Sequence, residues 1–234
     1  MKIAIHQPEF MPWPGFFDKM ARADLYVVFD HVQFKKRYFE NRNQIVSPRG
    51  EIFFVGVPVV TKGRYTQSIR DVEIDGTQRW QDKLLKSVEH NYKKAPYFGE
   101  YYDGVKEVIN RSSEYRYLIE LNLDLIAFFR AALGIVTPML FSSEMEVVDY
   151  RASELILTIC LHNHANTYLC GNSGRDYLDV EEFAKNNVHI EWLDYSMPEY
   201  RQLCREFVPN MSTLDMLFNH GERSLEILMG TGRR

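Results

Sequence analysis

Residues 2–30 read KIAIHQPEFMPWPGFFDKMARADLYVVFD, and their pattern decides the fold. Lys2 to Ile5 form a short apolar run that stops at His6-Gln7-Pro8, because proline cannot extend a hydrogen-bonded central strand. After Pro12-Trp13-Pro14-Gly15, the residues Phe16, Phe17, Met20 and Ala21 share one helical face, and Pro14 suits the first turn. Asp24 then leads into Leu25-Tyr26-Val27-Val28-Phe29, an apolar run typical of a strand buried on both faces. Strand, loop, helix and strand make a βαβ unit, which predicts a parallel pair joined by a right-handed crossover.

Beyond this unit the pattern changes. Gln33 to Val60 alternates polar and apolar residues and turns at Ser47-Pro48-Arg49-Gly50, so strands near Asn43 to Val46 and Glu51 to Val55 form an antiparallel hairpin. Thr66 to Ile74 reads as a further strand. A helical tract follows over Thr77 to Asn91, Pro96 to Asn110 and Glu114 to Leu133, the last with an apolar face of Leu118, Leu121, Leu125 and Phe128 or Phe129. Alternation then resumes, with a strand at Pro138 to Phe141, a helix from Arg151 to His162 and a strand at Thr167 to Cys170. A helix at Leu178 to Asn187, a strand at Val188 to Leu193 and helices over Thr213 to Asn219 and Ser224 to Met229 complete the reading. The expected fold is α/β, a mostly parallel Rossmann-like sheet with an antiparallel hairpin insertion and a helical insert at about residues 77–133, in a single domain over 1–234.

The chain carries 28 basic and 32 acidic residues, a net charge of −4, which gives no electrostatic reason to expect nucleic acid as the main partner. The cluster Lys35, Lys36, Arg37 and Arg42 either meets a phosphate or forms a solvated loop. Fourteen Tyr, fifteen Phe and three Trp indicate a thick core and a site able to stack a planar or sugar-like ligand. Cys160, Cys170 and Cys204 are too few and too scattered for a disulfide framework, and no CxxC occurs. No run approaches the ~18 apolar residues of a transmembrane helix, so no membrane partner is expected. Lys2 leads straight into a strand without a signal-peptide core, which sets the expected location in the cytoplasm.

His6-Gln7 stands where the first strand ends, and ligands of open α/β sheets bind outside the carboxyl ends of the strands. A histidine there acts as general acid or base or holds a phosphate oxygen; the alternative is a strand cap bonded to a carbonyl. The second strand ends in Asp30-His31-Val32-Gln33, and neighbouring parallel strands lie about 5 Å apart. His6 and Asp30 are therefore expected to share one pocket as the catalytic pair, the carboxylate favouring the imidazolium and fixing its tautomer. In Asn41-Arg42-Asn43, a strand start turns both asparagines to one side and Arg42 to the other. The guanidinium suits carboxylate or phosphate, although a surface turn fits the composition equally well.

Gly171-Asn172-Ser173-Gly174, between a strand and a helix, either brings backbone N–H groups toward an anion or makes a tight turn with Asp176 or Asp179 as helix N-cap. No P-loop, GxGxxG or GxSxG motif occurs, and no cysteine has a base partner in sequence, so covalent catalysis is not indicated. His162 and His164 are two residues apart rather than the three or four of helical metal sites, and no metal site is expected. His90, His189 and His220 are isolated and read as structural.

The run His6-Gln7-Pro8-Glu9-Phe10-Met11-Pro12-Trp13-Pro14-Gly15-Phe16-Phe17-Asp18-Lys19 resembles the opening of the WbqC-like family of bacterial proteins. So do Ala23-Asp24, Asp30, Val32-Gln33-Phe34, Asn41-Arg42-Asn43, Asn91-Tyr92-Lys93 with Pro96, Tyr168-Leu169 with Gly171, and Tyr177-Leu178. A last match is Phe207-Val208-Pro209 with Ser212, Leu214 and Asp215, while Cys170 stands where the family more usually has a serine. The resemblance spans nearly the whole chain. It implies a place in gene clusters for O-antigen, polysaccharide or related secondary metabolites, and an activity attaching glycine or another amino acid to an amino sugar. It sets Trp13, Lys19 and Tyr177 beside Gln7, Gln33, Asn41, Arg42, Asn43, Gly171, Ser173 and Gly174 as substrate-binding candidates. At the level of fold alone, the opening also resembles ATP-dependent amide-forming ligases of the nucleotidyltransferase type.

Two classes of function follow. In the first, an enzyme transfers an acyl or aminoacyl group to the amine of a nucleotide-linked amino sugar, His6 taking the amine proton and Asp30 orienting the ring. Gln7, Gln33, Asn41 and Asn43 hold hydroxyls or the acyl carbonyl, and Arg42 and the Gly171–Gly174 loop meet phosphate or carboxylate. An activated donor needs an oxyanion stabiliser, whereas a free acid needs ATP and Mg²⁺, so the cofactor stays open. In the second, the chain is a non-catalytic sugar- or nucleotide-binding or scaffold protein of a biosynthetic complex. Oligomeric state is also open, since Tyr97, Phe98, Tyr101 and Tyr102 either form a dimer face or pack the helical insert.

Overall fold

The computed structural model describes residues 1–146 and 152–230. In chain order its elements are β1 (Lys2–His6), α1 (Pro14–Ala21), β2 (Leu25–Val28), β3 (Arg42–Val46), β4 (Ile52–Gly56), α2 (Trp80–Tyr92), α3 (Phe98–Arg111) and α4 (Leu118–Leu133). There follow β5 (Met139–Phe141), α5 (Ala152–His162), β6 (Thr167–Gly171), α6 (Val180–Lys185), β7 (His189–Leu193), α7 (Thr213–His220) and α8 (Ser224–Leu228). The residues group into two compact units. The first holds Met1–Gln7, Asp18–Val32 and Val136–Ser196; the second holds Pro8–Phe17, Gln33–Ile135 and Met197–Arg234.

The first unit is a five-stranded parallel sheet in the order β5-β2-β1-β6-β7. Numbered by appearance in the chain, that order is 3-2-1-4-5, the Rossmann-like arrangement. Ile5 faces Val27, Ala4 faces Leu169, Val28 faces Phe141 and Cys170 faces Trp192. The central strands read as apolar runs because both of their faces are buried. On one face, Ile3, Ile5, Leu25 and Val27 pack with Leu155, Ile156, Ile159 and Cys160 of α5 and Phe183 of α6. Ala4, Tyr26 and Val28 alternate with them and are equally buried on the other face. Full burial of each large apolar side chain contributes about 1.5–3 kcal/mol, so β1 and β2 anchor the unit.

The second unit contains the antiparallel β3–β4 hairpin, with Asn43 opposite Val55 and Ile45 opposite Phe53. Its turn is the expected one. The Gly50 N–H donates to Ser47 O at 2.9 Å, and Ser47 Oγ accepts from the Arg49 and Glu51 N–H groups. Gly50 takes φ +83°, which only glycine adopts without strain. The helical insert expected at residues 77–133 lies wholly in this unit, which also takes in the hairpin and the C-terminal helices. On α4 the apolar face is Leu118, Leu121, Leu125 and Phe129, all buried, and Gly134 ends the helix in the left-handed conformation.

Several boundaries differ from the sequence expectation for local reasons. The helix expected from Thr77 begins at Trp80, because the Asp75 carboxylate accepts from Thr77 N, Thr77 Oγ1 and Gln78 Nε2 and holds that segment in a turn. The helix expected from Glu114 begins at Leu118, where the Glu120 carboxylate takes the Tyr117 N–H at 2.7 Å and closes a capping box. The helix expected from Leu178 begins at Val180, capped by Asp179, whose side chain accepts from Glu182 N at 3.0 Å. Thr66 to Ile74 is not a continuous strand. It makes isolated bridges, Ser68 with Gln33 and Ile74 with Val59, around a 3-10 turn at Ile69–Asp71 fastened by a bond from Ser68 Oγ to Asp71. Arg151, where the next helix was expected to start, lies outside the described residues.

Candidate functional site

All five parallel strands of the first unit end at one edge, and that edge is where their loops present side chains. The chain direction across the sheet reverses between β1 and β6, so the residues following these two strands flank the switch point. His6 ends β1 and Gln7 follows it, while Gly171 ends β6 and residues 172–177 follow it.

His6 is only partly exposed, and its Nδ1 lies 3.0 Å from Gln7 O. A carbonyl can only accept, so Nδ1 carries the proton and Nε2 keeps its lone pair. Lys19, from the last turn of α1, is buried and donates from Nζ to Ile5 O at 2.8 Å, with the Tyr168 ring 5.9 Å from the ammonium. Burial first, and the Lys19 charge second, push the imidazole down from 6.5 to about 4, against a smaller opposing effect of the Gln7 carbonyl. The expected partner of this histidine was the Asp30 carboxylate and the expected form the imidazolium. The structure instead sets a cation beside it and keeps the ring neutral.

Titration of His6 followed by NMR is therefore expected to show a midpoint near pH 4. Lys19→Met should raise that midpoint, yet leave it below 6.5 because burial is the larger cause. A group whose folded pKa is lowered supports the fold above its unfolded pKa, and that support is lost as pH falls from 6.5 toward 4. A wild-type midpoint at or above 6.5 would contradict this assignment.

Asp30 is buried and already fully engaged. Its Oδ1 accepts from Ser142 Oγ and from Ser143 N, each at 2.9 Å, and its Oδ2 accepts from Ser143 Oγ. Ser142, having given its proton to Asp30, accepts from Asp30 N and from His31 Nδ1, the latter at 2.7 Å. The order is carboxylate, serine, imidazole, so Ser142 is not set up as a nucleophile activated by histidine. Ser142, Ser143 and His31 were not among the expected site residues; the available signal was that Ser142-Ser143 directly follows β5 at the same sheet edge.

After β6 the chain makes a 3-10 turn over Asn172–Asp176. Ser173 and Tyr177 are exposed, while Gly174 is buried. A Cβ on Gly174 would come within 2.1 Å of Cys170 Sγ and also press on Leu178 and Trp192, so this glycine serves close packing. Gly171 has open space at the corresponding position. The Arg175 guanidinium lies 4.5 Å from the Trp192 ring and fastens the turn. Burial pushes the Cys170 thiol up, with Lys19 opposing, and its S–H points to Gly171 O; it is a packed thiol rather than a thiolate.

The remaining candidates belong to the second unit. Trp13 is half-buried with its ring folded over Gly15, where a Cβ would clash at 2.2 Å. Gln33 is exposed and donates to Tyr65 O. Asn41 donates to Val57 O at 3.0 Å, and its buried Oδ1 meets no hydrogen-bond partner among the described residues. The Arg42 guanidinium lies 4.4 Å from the Phe54 ring. Asn43 is fully buried, its Nδ2 donating to Phe10 O and Met11 O and its Oδ1 accepting from Gln44 N. The sequence reading also passed over Asn122 and Glu40. Asn122 is fully buried and donates to Pro8 O and Glu40 O, and the Glu40 carboxyl is buried and pushed up by that burial.

Among the described residues, no group of three or more His, Cys, Asp or Glu side chains is placed to hold a metal ion, and no helix is long and apolar enough to cross a membrane.

No solved structure matches the chain. The uncharacterized protein Rv1507c of Mycobacterium tuberculosis (strain ATCC 25618 / H37Rv) is 34% identical over 228 residues, covering 97% of each chain. Residues 7–227, from Gln7 at the switch-point edge to Ile227 in α8, match the WbqC-like protein family, to which this chain belongs.

Proposed function

We propose that the chain is an enzyme of bacterial polysaccharide, O-antigen or related secondary-metabolite biosynthesis, transferring an acyl or aminoacyl group such as glycyl to the amine of an amino sugar. The observation that carries the reading is the place of His6 at the switch-point edge of a parallel sheet, its Nδ1 3.0 Å from the Gln7 carbonyl so that Nε2 holds the lone pair; burial and the nearby Lys19 lower its pKa and favour the neutral ring. When an amine attacks an acyl carbonyl, a C–N bond forms and the nitrogen becomes far more acidic. A base that is unprotonated at neutral pH can take that proton as the leaving group departs with its electron pair. His6 Nε2 is the proton acceptor in this reading, and Lys19 supplies the positive charge that steadies the developing oxyanion. Asp30 holds Ser142, Ser143 and the loop that follows β2. An activated donor needs nothing further; a free amino acid requires ATP and Mg²⁺ to activate its carboxylate. A cytoplasmic location and a nucleotide-linked amino-sugar acceptor belong to the same reading.

The test is a transfer assay with nucleotide-linked amino sugars against either an activated acyl donor or glycine with ATP and Mg²⁺, the amide product being read by mass spectrometry. His6→Ala, shown to be folded by circular dichroism, is expected to lose turnover by a factor of about 10²–10⁴. Full turnover in that variant removes His6 from the chemistry. A second reading, a non-catalytic binding or scaffold protein, draws on β4, where Ile52, Phe53 and Phe54 are all exposed. Absence of product with every pairing, together with co-purification of another protein of the same gene cluster, selects it.

A further inference from the structure

In the second unit, the β3–β4 hairpin and the start of α2 enclose a cleft of about 490 Å³, within the ~300–1,000 Å³ typical of small-molecule sites. Three cations line it, Arg42 from β3 and Arg79 and Lys83 at the start of α2, and no carboxylate does. None of the three makes an ion pair among the described residues. A cleft further along α2 carries Arg49, Lys86, Lys93 and Lys94 but also Glu51, so its charge is partly balanced within the chain. Three cations gathered in a concavity with no counter-charge focus a positive potential there, which an anion relieves.

The other features of the cleft specify what that anion carries. Stacking on Phe54, which is 56% exposed, orients the Arg42 guanidinium, and its planar fork matches phosphate oxygens. The dipole at the start of α2 has the same sign as the cations. Phe54, Val57, Pro58 and Leu84 give the cleft an apolar wall. Asn41 also lines the cleft, its side-chain amide donating to Val57 O at 3.0 Å.

We propose that this cleft binds a phosphate-bearing small molecule of the nucleoside-diphosphate class. The site deepens the transfer reading, giving its substrate-binding candidates Asn41 and Arg42 a phosphate-bearing ligand, but it can be tested apart from the chemistry because neither His6 nor any other residue of the first unit lines it. Isothermal titration of the full chain with pyrophosphate, uridine diphosphate and uridine tests it. Pyrophosphate and uridine diphosphate are expected to bind saturably and more weakly as salt rises, and uridine not to bind. Arg79→Ala and Lys83→Ala, both at exposed positions, should each weaken binding tenfold or more. Lys86→Ala, in the further cleft, should leave it unchanged. His6→Ala should bind uridine diphosphate as the wild type does, so this site and the transfer reading fail separately. Three outcomes overturn the proposal: no saturable binding at millimolar ligand, uridine binding as tightly as its diphosphate, or undiminished binding in the Arg42→Ala, Arg79→Ala, Lys83→Ala triple variant.

Discussion

Asn43→Ala is expected to lower the unfolding free energy by about 3 kcal/mol, since each buried polar group left without its partner costs about 1–3 kcal/mol. The side chain satisfies Phe10 O, Met11 O and Gln44 N at once, and no solvent reaches the site to replace it. Met11 sits at φ +45°, a conformation disfavoured for a residue with a Cβ, and Asn43 is part of what holds it there. Asn43→Asp should be worse, because a carboxylate cannot donate to either carbonyl. Urea unfolding checks both, read as a fall in the midpoint at unchanged slope. A loss below about 1 kcal/mol for the alanine variant would show that the loop does not depend on this amide.

Asp215→Asn is expected to change how stability depends on pH. The Asp215 carboxyl is fully buried in α7, with Tyr200 Oη and Gln202 Nε2 each donating to Oδ2 at 2.8 Å. Burial raises its pKa from 3.8 to about 6, the hydrogen bonds from Tyr200, Gln202 and Tyr92 opposing without cancelling. The folded state therefore binds this proton before the unfolded state does. The contribution to stability rises as pH falls from 6 toward 3.8, and is lost again above 6. About two units of difference correspond to about 3 kcal/mol. The difference between wild type and variant, measured by denaturant unfolding from pH 7.5 (~1.5 units above the folded pKa) down to pH 4, should shift by most of this amount, about 2.4 kcal/mol, in favour of the wild type on acidification. Parallel profiles would mean that folding leaves the Asp215 carboxyl at its ordinary pKa.

The sheet was legible because its signals are local. Lys2 to Ile5 and Leu25 to Phe29 are apolar runs bounded by Pro8 and Asp24, and they become β1 and β2. The same holds for the hairpin, whose turn residues Ser47 and Gly50 make the bonds their types favour. Helix onsets were less legible, because single side-chain bonds from Asp75, Glu120 and Asp179 decide where the first turn closes. The candidate site was legible in position but not in pairing. Placing His6 and Asp30 at one sheet edge needs only strand ends. Learning that Ser142 and Ser143 claim the Asp30 carboxylate needs the knowledge that β5 lies beside β2, far along the chain. A polar residue near a strand end also resembles a ligand-binding residue when it is in fact a tie between backbone segments, as Asn43 is; Asn122, inside α4, makes the same kind of tie without any such signal.

The sheet order also sets a timetable for synthesis. β1 meets β2 within one short crossover, as Ile3 with Leu25, but its other edge waits for β6, where Lys2 pairs with Thr167. β2 likewise waits for β5, since Tyr26 pairs with Met139 only after the whole span Gln33–Ile135 has been made. Contacts so distant along the chain make folding slow and leave apolar strand edges open in the interval. β1 and β2 are therefore made well before the strands that flank them, and their open apolar edges are the surface a chaperone would meet in that interval.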